Sequence, residues 1–367
     1  MPAIFAVVII VIQGLLALGH VIAYKLIVST WTITNNNTLL ALKIILSCLA
    51  ISFVAASLIA FKFYNPAARW LYIISAVWLG ILFYLCLVDL IYWLAVTIVL
   101  LLGSSISVAI IGQILIILAL LISAYGLINA NNIKTTSIAV QLPNNSWQGQ
   151  RAVWISDIHL GHVRGLNFLE KVVKVANELK PDIIFIGGDV YDGTAFPPES
   201  SVNLLSQLKA PQGTYFITGN HEEFGDNTKY LSAIKQAGMI ILANEVKEVN
   251  GVQLIGVDYN DSAKSASFTK IMGNLNIDKN KPSILLKHAP NHLEIVNQVG
   301  VNFLITGHSH RAQMWPLNLI TWLVYKGYDF GFKKYNDMTV YTSSGVGTWG
   351  PPLKVGNPAE ILLVNFK

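Results

Sequence analysis

The sequence predicts two dissimilar parts, an apolar helical part that crosses a membrane and a layered α/β (α+β) domain. The first 133 residues hold four basic groups and one acid, whereas the remaining 234 hold 21 basic and 19 acidic groups. Beyond residue 150, short apolar runs alternate with amphipathic stretches, which is typical of strands and helices in layers. We place the domains at 1–130 and 151–367, joined by a linker over 131–150.

Four apolar stretches in the first part are long enough to cross a bilayer, which needs about 20 apolar residues. They cover residues 3–24, 39–61, 70–102 and 106–128. The third exceeds one span, so it forms either a long tilted helix or a helix followed by an interfacial segment. The first is not a cleavable signal peptide, because its apolar core is too long and no basic residue precedes it. We therefore expect an integral, multi-pass membrane protein whose partner is the lipid bilayer.

The charges of the first part bear on its orientation. Lys62 and Arg69 lie between the second and third spans, and Lys134 and Arg151 follow the fourth. An even number of spans puts both groups on one side, and the positive-inside rule makes that side cytoplasmic, although two lysines near the other loop weaken the asymmetry. Asp89 in the third span is either interfacial or paired with a neighbouring helix, and a transport role is the alternative.

Net charge and cysteine content exclude two other classes. The net charge of +5 comes mostly from the region near the membrane part, and a bilayer surface explains it at least as well as a nucleic acid does. We expect no nucleic-acid partner. Cys48 and Cys86 both lie in apolar segments, so we expect neither a disulfide framework nor thiolate ligands for zinc.

The second part begins as alternating strands and helices and then becomes mostly strands. The run AVWIS is strand-like, and residues 166–180 have apolar side chains at helical spacing until Pro181 ends the helix. Further helices are SSVNLLSQLKA and a stretch around 228–237. The remaining strands are DIIFIGGD, GTYFITGN, MIILAN, VQLIGVD, SILLKHAP, VNFLITGHSH, TVYTSSG and EILLVNF. This order predicts two mixed sheets.

Five of these apolar runs end in side chains of the kinds that bind metals. They are Asp157 and His159, Asp189, Asn220 and His221, His288, and His308 and His310. In open α/β sheets, sites form outside the carboxyl ends of the strands. Because alternate residues of an extended chain share one face, we expect Asp157 and His159 to reach the same ion, and likewise His308 and His310.

The same residues belong to motifs that follow one another in the order of a known pattern. The motifs are DIH at 157–159, GDVYD at 188–192, GNHE at 219–222, a histidine at 288 and GHSH at 307–310. Over about residues 150–367 the chain resembles the calcineurin-like metallophosphoesterases, and GTWGPP near the C-terminus is similar to their membrane-associated bacterial branch. Arg311 and Ala312 stand where that branch often has a glycine. The resemblance implies a four-layer α/β/β/α sandwich.

The resemblance also implies two divalent metal ions, Mn, Fe or Zn, that share one bridging carboxylate, Asp189. The first ion would take Asp157, His159, Asp189 and His310, and the second Asp189, Asn220, His288 and His308. A shared anion relieves the repulsion between two dications about 3.5–4 Å apart. A mixture of nitrogen and oxygen ligands is compatible with all three metals, so the ligand types do not identify which one is bound. A hydroxide activated by the metals would be the nucleophile.

Four further residues have predicted roles beside the ions. His221 is expected to donate a proton or a strong hydrogen bond to the leaving oxygen. Since two dications disfavour the protonated ring, it needs an anionic partner, for which Asp192 is the candidate. Glu222 either supports the ligands or lies in a solvated loop. Arg164, in a loop near the metal edge, is predicted to contact the phosphate of the substrate.

Residues 314–335 follow the last metal motif and interleave apolar and aromatic residues with Lys326, Lys333 and Lys334. They form either a strand pair over the core or a membrane-facing rim that admits a lipid-bearing substrate. The sequence thus predicts a membrane-anchored dinuclear-metal hydrolase of phosphate esters or pyrophosphates. A lipid-linked substrate is favoured, because the catalytic edge is held near a bilayer. The alternatives are a non-catalytic membrane sensor or scaffold, and a transporter with a regulatory phosphoesterase domain.

Overall fold

The computed structural model describes residues 2–103, 105–224 and 226–367. The chain divides into two compact units. The helical unit comprises Met1–Ile128 with Gly350–Leu353, and the two-sheet unit comprises Asn129–Trp349 with Lys354–Lys367.

Four helices make up most of the helical unit. They are α1 (Pro2–Trp31), α2 (Asn36–Ala60), α3 (Pro66–Leu101) and α4 (Val108–Asn129). All four are long and apolar enough to cross a membrane. The third predicted span is one continuous helix of 36 residues, which at 1.5 Å per residue exceeds the roughly 30 Å of a hydrocarbon core.

Asparagine side chains begin two of these helices. The side-chain oxygen of Asn35 accepts the backbone N–H groups of Asn37 and Thr38, and that of Asn65 accepts the N–H of Ala68. Such caps satisfy N–H groups that lack a partner within the helix. The starts of α2 and α3 are therefore set by the local sequence.

Close packing in the helical unit depends on small residues and one polar contact. A Cβ at Gly19 of α1 would lie 3.4 Å from the Cys86 sulfur of α3, so the two helices approach closely. Trp78 donates its indole N–H to Nε2 of His20 at 2.8 Å. Asp89 is buried within the unit. Cys48 and Cys86 are free thiols, as expected.

The two-sheet unit contains two six-stranded mixed sheets. The first sheet has the order β1 (Ile133–Val140), β12 (Ala359–Phe366), β2 (Arg151–Ile155), β3 (Ile183–Ile186), β4 (Thr214–Phe216), β5 (Ile240–Ile241). The second has the order β10 (Gly331–Tyr335), β11 (Met338–Thr342), β9 (Phe303–Thr306), β8 (Ser283–Leu286), β7 (Val252–Gly256), β6 (Glu245–Val249). Strands β2 to β5 are mutually parallel, as are β7, β8, β9 and β11.

The sheets face each other and helices cover their outer surfaces. A buried apolar cluster between the sheets joins Trp154 and Phe185 of the first to Leu254, Ile284 and Phe303 of the second. The first sheet carries α5 (Leu166–Glu178), α6 (Val202–Leu205) and α7 (Thr228–Gln236); the second carries α9 (Ser265–Asn274) and α10 (Leu293–Gln298), preceded by α8 (Tyr259–Ala263). The predicted four-layer α/β/β/α sandwich is confirmed.

The segment 131–150 is not a linker throughout, which corrects the sequence prediction. Its residues Ile133–Val140 form β1, which pairs in parallel with β12 from Ile133 opposite Ala359 to Val140 opposite Phe366. Most side chains of β1 are exposed or half-buried, because β1 lies at the edge of its sheet. An edge strand lacks the continuous apolar run that marks a central one, so composition alone conceals it.

Segment 314–335 is likewise not a strand pair. It contains the helix α11 (Asn318–Val324) and then one strand, β10, which pairs with β11 beyond the segment. None of the seven residues of α11 is buried. The alternative prediction, an exposed apolar rim, therefore describes the segment better than a cover over the core does.

Candidate metal centre

All seven predicted ligands meet where the carboxyl ends of β2, β3, β4, β8 and β9 converge. Asp157 and His159 follow β2, Asp189 follows β3, and Asn220 follows β4. His288 follows β8, and His308 and His310 follow β9. Both sheets thus contribute side chains to one place, as the rule for sites in α/β sheets leads us to expect.

The backbone reason for this convergence differs from the predicted one. Strand β2 ends at Ile155, so strand alternation does not bring Asp157 and His159 together. Both residues instead have left-handed backbone angles, with φ of 58° and 53°. Asp189, His308 and His310 share this conformation, with φ of 52°, 68° and 45°. Each such residue costs about 1–2 kcal/mol, and such strain is typical of functional sites.

One group of ligands consists of Asp157, His159 and His310, whose candidate ligand atoms all lie within 4.8 Å of one another. Nε2 of His159 lies 3.0 Å from Nε2 of His310, which in turn lies 3.4 Å from Oδ1 of Asp157. This is the predicted first ligand set, apart from the shared carboxylate.

A second group consists of Asp189, His288 and His308. Nε2 of His288 lies 3.2 Å from Oδ2 of Asp189, 3.2 Å from Nδ1 of His308 and 3.2 Å from Oδ1 of Asn220. Oδ2 of Asp189 also lies 3.7 Å from Nε2 of His159 in the first group. One oxygen of Asp189 therefore faces both groups, which is where a bridging carboxylate belongs.

These residues fit divalent cations by their chemistry and burial. Asp157 and Asp189 are at most 2% exposed, and burying two carboxylates side by side is costly without a counter-charge. Nδ1 of His288 donates to the carbonyl of Gly187 at 2.7 Å, which fixes the ring and turns Nε2 to the ligand groups. Oxygen and imidazole ligands without thiolate suit Mn, Fe or Zn.

The electrostatics of three of the four ligand histidines agree with this fit. His288 differs: burial alone would lower its pKa, but the charge and hydrogen bond of Asp189 outweigh burial and raise the pKa to about 9. Burial lowers the pKa of His159 and His310 well below the ordinary range, and burial together with the charge of His288 lowers that of His308 to about 3. These rings are therefore neutral, which is the form that binds a metal. Burial alone would raise the pKa of Asp189, but the charge of His288 and its hydrogen bond lower it.

Glu222 is buried beneath the ligand loops and hydrogen-bonds to their backbone, so it is not in a solvated loop. The side chain is fully buried, and its carboxylate accepts the backbone N–H groups of Asp189 at 2.8 Å, Gly219 at 2.9 Å and Tyr191 at 3.0 Å. Three hydrogen bonds from two loops fix the backbone that carries Asp189 and Asn220. Burial, followed by the charge of Asp189, raises the pKa of Glu222 to about 7.

His221 lies beside the ligands, but its partner differs from the predicted one. Its Nδ1 lies 2.8 Å from the backbone carbonyl of Asp192. The Asp192 carboxylate instead accepts the backbone N–H and the hydroxyl of Thr194. Since a carbonyl can only accept a hydrogen bond, Nδ1 of His221 carries a proton. Nε2, on the other side of the ring, is not used in this contact. The His221 ring packs against that of His159, with centroids 4.7 Å apart.

Arg164 is placed differently from its prediction as a phosphate contact. It is 3% exposed, and three of its nitrogens donate to protein oxygens, of Thr348 at 3.2 Å, Asn131 at 2.7 Å and Ala130 at 2.8 Å. The guanidinium also stacks 4.4 Å from the Phe168 ring. Its contacts thus lie within the two-sheet unit, where they hold Ala130 and Asn131, and they give no support to a substrate role.

Sequence reasoning missed several buried polar residues that hydrogen-bond to the His310 loop or to its neighbours. Asn357 donates its side-chain N–H to the backbone carbonyl of His310 at 2.6 Å. Asn129, the last residue of α4, donates to the carbonyls of Lys354 and Asn357 at 2.9 and 2.8 Å. Buried Lys354 donates to the carbonyls of Ser344 and Gly345. Single polar residues in a loop give no periodic signal, so only the fold reveals them.

Aromatic rings surround the ligand groups. Tyr259 lies with its ring centroid 5.7 Å from that of His288 and 5.6 Å from that of His308. Tyr325, directly after α11, lies 6.5 Å from His308. Phe224 and Trp349 lie 4.7 and 5.8 Å from His221 and are more than half exposed. The mouth of the site is therefore largely aromatic.

Two mixed sheets with clustered carboxylate, imidazole and amide ligands define a metal-binding α/β sandwich, and sequence comparison specifies the family. Residues 151–312 match the family model described as calcineurin-like phosphoesterase. A metallophosphoesterase of Aquifex aeolicus is 31% identical over 218 residues, which cover 58% of this chain and 83% of that protein. The chain belongs to the calcineurin-like metallophosphoesterases.

Relatives with membrane segments and solved structures also match. A transmembrane protein with metallophosphoesterase domain from Danio rerio is 28% identical, covering 68% of this chain and 62% of that protein. A metallophosphoesterase of Helicobacter pylori J99 is 31% identical, and the chain spans 58% of its length. A crystal structure from Thermus thermophilus matches with a TM-score of 0.37 at 14% identity, covering 55% of this chain and 90% of that one. The four apolar helices and the transmembrane relative indicate membrane association.

Proposed function

We propose that the protein is a membrane-anchored dinuclear-metal phosphoesterase that hydrolyses a phosphate ester or pyrophosphate bond. The observation that carries the proposal is the position of Asp189, whose Oδ2 lies 3.2 Å from His288 and 3.7 Å from His159. One carboxylate between two ligand groups is the arrangement that a pair of cations requires. When bound, such cations lower the pKa of water and polarise the phosphoryl group.

The chain itself supplies ligands, rigid support and a proton donor. Asp157, His159 and His310 would hold one cation, Asn220, His288 and His308 the other, with Asp189 shared. His221 would act as the acid: its Nδ1–H bonds to the Asp192 carbonyl, so a protonated ring donates from Nε2 to the leaving oxygen. Loss of that proton leaves a neutral ring that is reloaded from solvent. Glu222 holds the loops in place throughout.

We further propose that the substrate is lipid-linked and that the site lies on the cytoplasmic side. Four helices of spanning length precede the two-sheet unit, so the chain is held at a bilayer. An even number of spans puts four basic residues on one side of the bilayer, namely Lys62, Arg69, Lys134 and Arg151. The positive-inside rule makes that side cytoplasmic. An enzyme held there meets amphiphilic substrates at high local concentration, whereas a soluble substrate gains nothing from the anchor.

The test compares two substrates with the purified full-length protein in Mn²⁺. Hydrolysis of an aryl phosphodiester by wild type, but not by Asp189→Asn, supports the hydrolase. Faster turnover of a lipid pyrophosphate in mixed micelles supports the lipid-linked substrate. If the protein binds metal and cleaves neither compound, the competing sensor or scaffold function is correct. The position of His221 beside the ligands favours the enzyme, because a binding module has no need of a proton donor.

A further inference from the structure

The helix α11 and its flanks expose a set of large apolar side chains a few residues beyond His310. Trp322, Leu323 and Val324 are 55%, 68% and 64% exposed. Three more side chains of the segment are about equally exposed: Trp315, Leu319 and Ile320. Large contiguous apolar patches are rare on soluble surfaces and mark places where a protein meets a partner or a membrane. We call residues 315–325 the apolar strap.

The strap is held firmly in this exposed position. The carboxylate of buried Asp329 accepts the Thr321 hydroxyl at 2.9 Å, and its backbone carbonyl accepts the Ser309 hydroxyl at 2.6 Å. The backbone N–H of Gly327 donates to the carbonyl of Trp322 at 2.7 Å. These bonds join the strap to the loop between the metal ligands His308 and His310. The exposure is therefore part of the fold.

Basic side chains border the strap. Lys326 follows it directly, and Lys333 and Lys334 are exposed on β10. The guanidinium of Arg311 stacks 4.7 Å from the ring of Phe330. Among the nearby acids in the described part of the chain, Asp329 is buried, whereas Asp337 and Glu294 are exposed, Glu294 in a cavity wall shared with Val324 and Lys326. Four basic side chains outnumber these two exposed acids. The border of the strap is thus net positive.

A cavity of about 350 Å³ opens beside α11. Its walls include the apolar side chains of Leu319, Trp322 and Phe330 and the cationic side chains of Arg311 and Lys333. Asp329 also lines the cavity, where its carboxylate accepts the Thr321 hydroxyl. An apolar wall with two cations suits a ligand that has a hydrocarbon part and an anionic head. A phospholipid headgroup has this chemistry.

We propose that the apolar strap and its basic border form a docking surface for an anionic lipid bilayer, with Arg311 and Lys333 contacting headgroup phosphates. Apolar and aromatic side chains bordered by lysines are what interfacial segments use, and lysines add attraction to anionic lipids. A second copy of the chain fits less well, because a two-fold contact through this face would bring the lysines of both copies together.

Docking at this surface would have a direct consequence for the site. The strap begins five residues after His310 and ends at Tyr325, whose ring lies 6.5 Å from that of His308. A bilayer that binds the strap therefore lies against the mouth of the metal centre. Docking on the bilayer does not depend on the proposed function. Only the further statement, that an amphiphilic substrate reaches the site from the adjacent leaflet, rests on it.

The experiment measures the depth of the strap in full-length protein, with Cys48 and Cys86 replaced by serine. A fluorophore is attached at Leu323→Cys, or at Lys171→Cys on α5 as the matched exposed control, in nanodiscs of brominated lipid. We expect at least about twofold quenching at position 323, stronger with phosphatidylglycerol than with phosphatidylcholine, and little at 171. Lys326→Gln/Lys333→Gln/Lys334→Gln should remove the preference for the anionic lipid.

Three results would overturn the docking surface: equal quenching at the two positions, no quenching at 323, or disulfide cross-linking of Leu323→Cys between two copies. An unchanged lipid preference in the triple variant would contradict the role of the basic border. The readout needs no turnover, so a protein without hydrolase activity but with a quenched strap would refute the proposed function alone.

Discussion

The metal-ligand loops and the apolar strap break the ordinary distribution of polarity in opposite ways. The loops bury charged and polar side chains: Asp157 and His288 are fully buried and Asp189 is 2% exposed. The strap exposes Leu323 and Val324 at 68% and 64%. Each arrangement lowers stability in isolation, by desolvation of charge in one case and by hydration of apolar surface in the other.

The difference indicates which kind of partner each region is suited to bind. Buried carboxylates beside neutral imidazoles need cations, and a cluster of exposed apolar side chains needs a water-poor surface. Hydrogen bonds tie both regions to the fold: Glu222 accepts three from the ligand loops, and Asp329 accepts one from Thr321 of the strap. We propose that the loops bind metal ions and that the strap docks on a bilayer, and the following changes test the two proposals separately.

Asp189→Asn should have the largest effect. Loss of the shared negative charge should remove at least one metal ion and reduce turnover of an aryl phosphodiester to less than about one thousandth. Metal analysis and steady-state kinetics check this, with Asp278→Asn at an exposed position as the control. Substantial turnover with both metals still bound would contradict the bridging role.

His221→Gln separates proton donation from metal binding. We expect kcat to fall roughly 10²–10³-fold for a substrate with a poor leaving group, and much less for nitrophenyl esters that leave without a proton. His221 forms a third candidate metal group with His159 and Asp189. If it is the acid and not a ligand, metal content should not change. The control is His292→Gln, whose ring bonds to Ala263 on α8. Equal losses for both leaving groups would refute the acid role.

A pair of leucines compares the core with the strap. Leu254 is fully buried between the sheets, so Leu254→Ala should lower the free energy of unfolding by about 2–5 kcal/mol. Leu323→Ala should change it by less than about 0.5 kcal/mol. Urea titrations in detergent provide the measurement. A large loss for Leu323→Ala would mean that the strap is a stability element and not a docking surface.

Asn357→Ala should have the smallest effect on the metal side. Removing the hydrogen bond to the His310 carbonyl loosens one ligand loop, and we expect about tenfold weaker metal affinity. Calorimetric titration with Mn²⁺ measures it, beside Asn274→Ala at an exposed position of α9. An unchanged affinity would show that the His310 loop holds its shape without Asn357.

Much of this molecule could be predicted from residue type and order. The four apolar helices follow from composition, and the gathering of metal-binding residue types follows from their places after buried strands. Which seven of them are ligands is what the family resemblance implies. Edge strands β1 and β6 escaped notice because half or more of the side chains in each are polar and half or more are exposed, so neither strand is apolar throughout. The partner of His221 could not be predicted, since it is a backbone carbonyl of Asp192, and every residue carries one.

Arg164 shows the remaining limit of sequence reasoning. A loop arginine near phosphate chemistry suggests an anion contact, yet here its guanidinium bonds to Asn131 and Ala130. Sequence indicates what a side chain can bind, whereas the fold decides which partner lies within reach. The contact between Asn129 and the Asn357 carbonyl follows the same rule, because it joins residues more than 200 positions apart.

The most direct test of the account is a crystal structure of the full-length protein grown with Mn²⁺, with anomalous diffraction to locate the ions. The account predicts two anomalous peaks about 3.5–4 Å apart, one on each side of Oδ2 of Asp189, with His159 and His310 at one and His288 and His308 at the other. A single peak, or peaks away from Asp189, would contradict it.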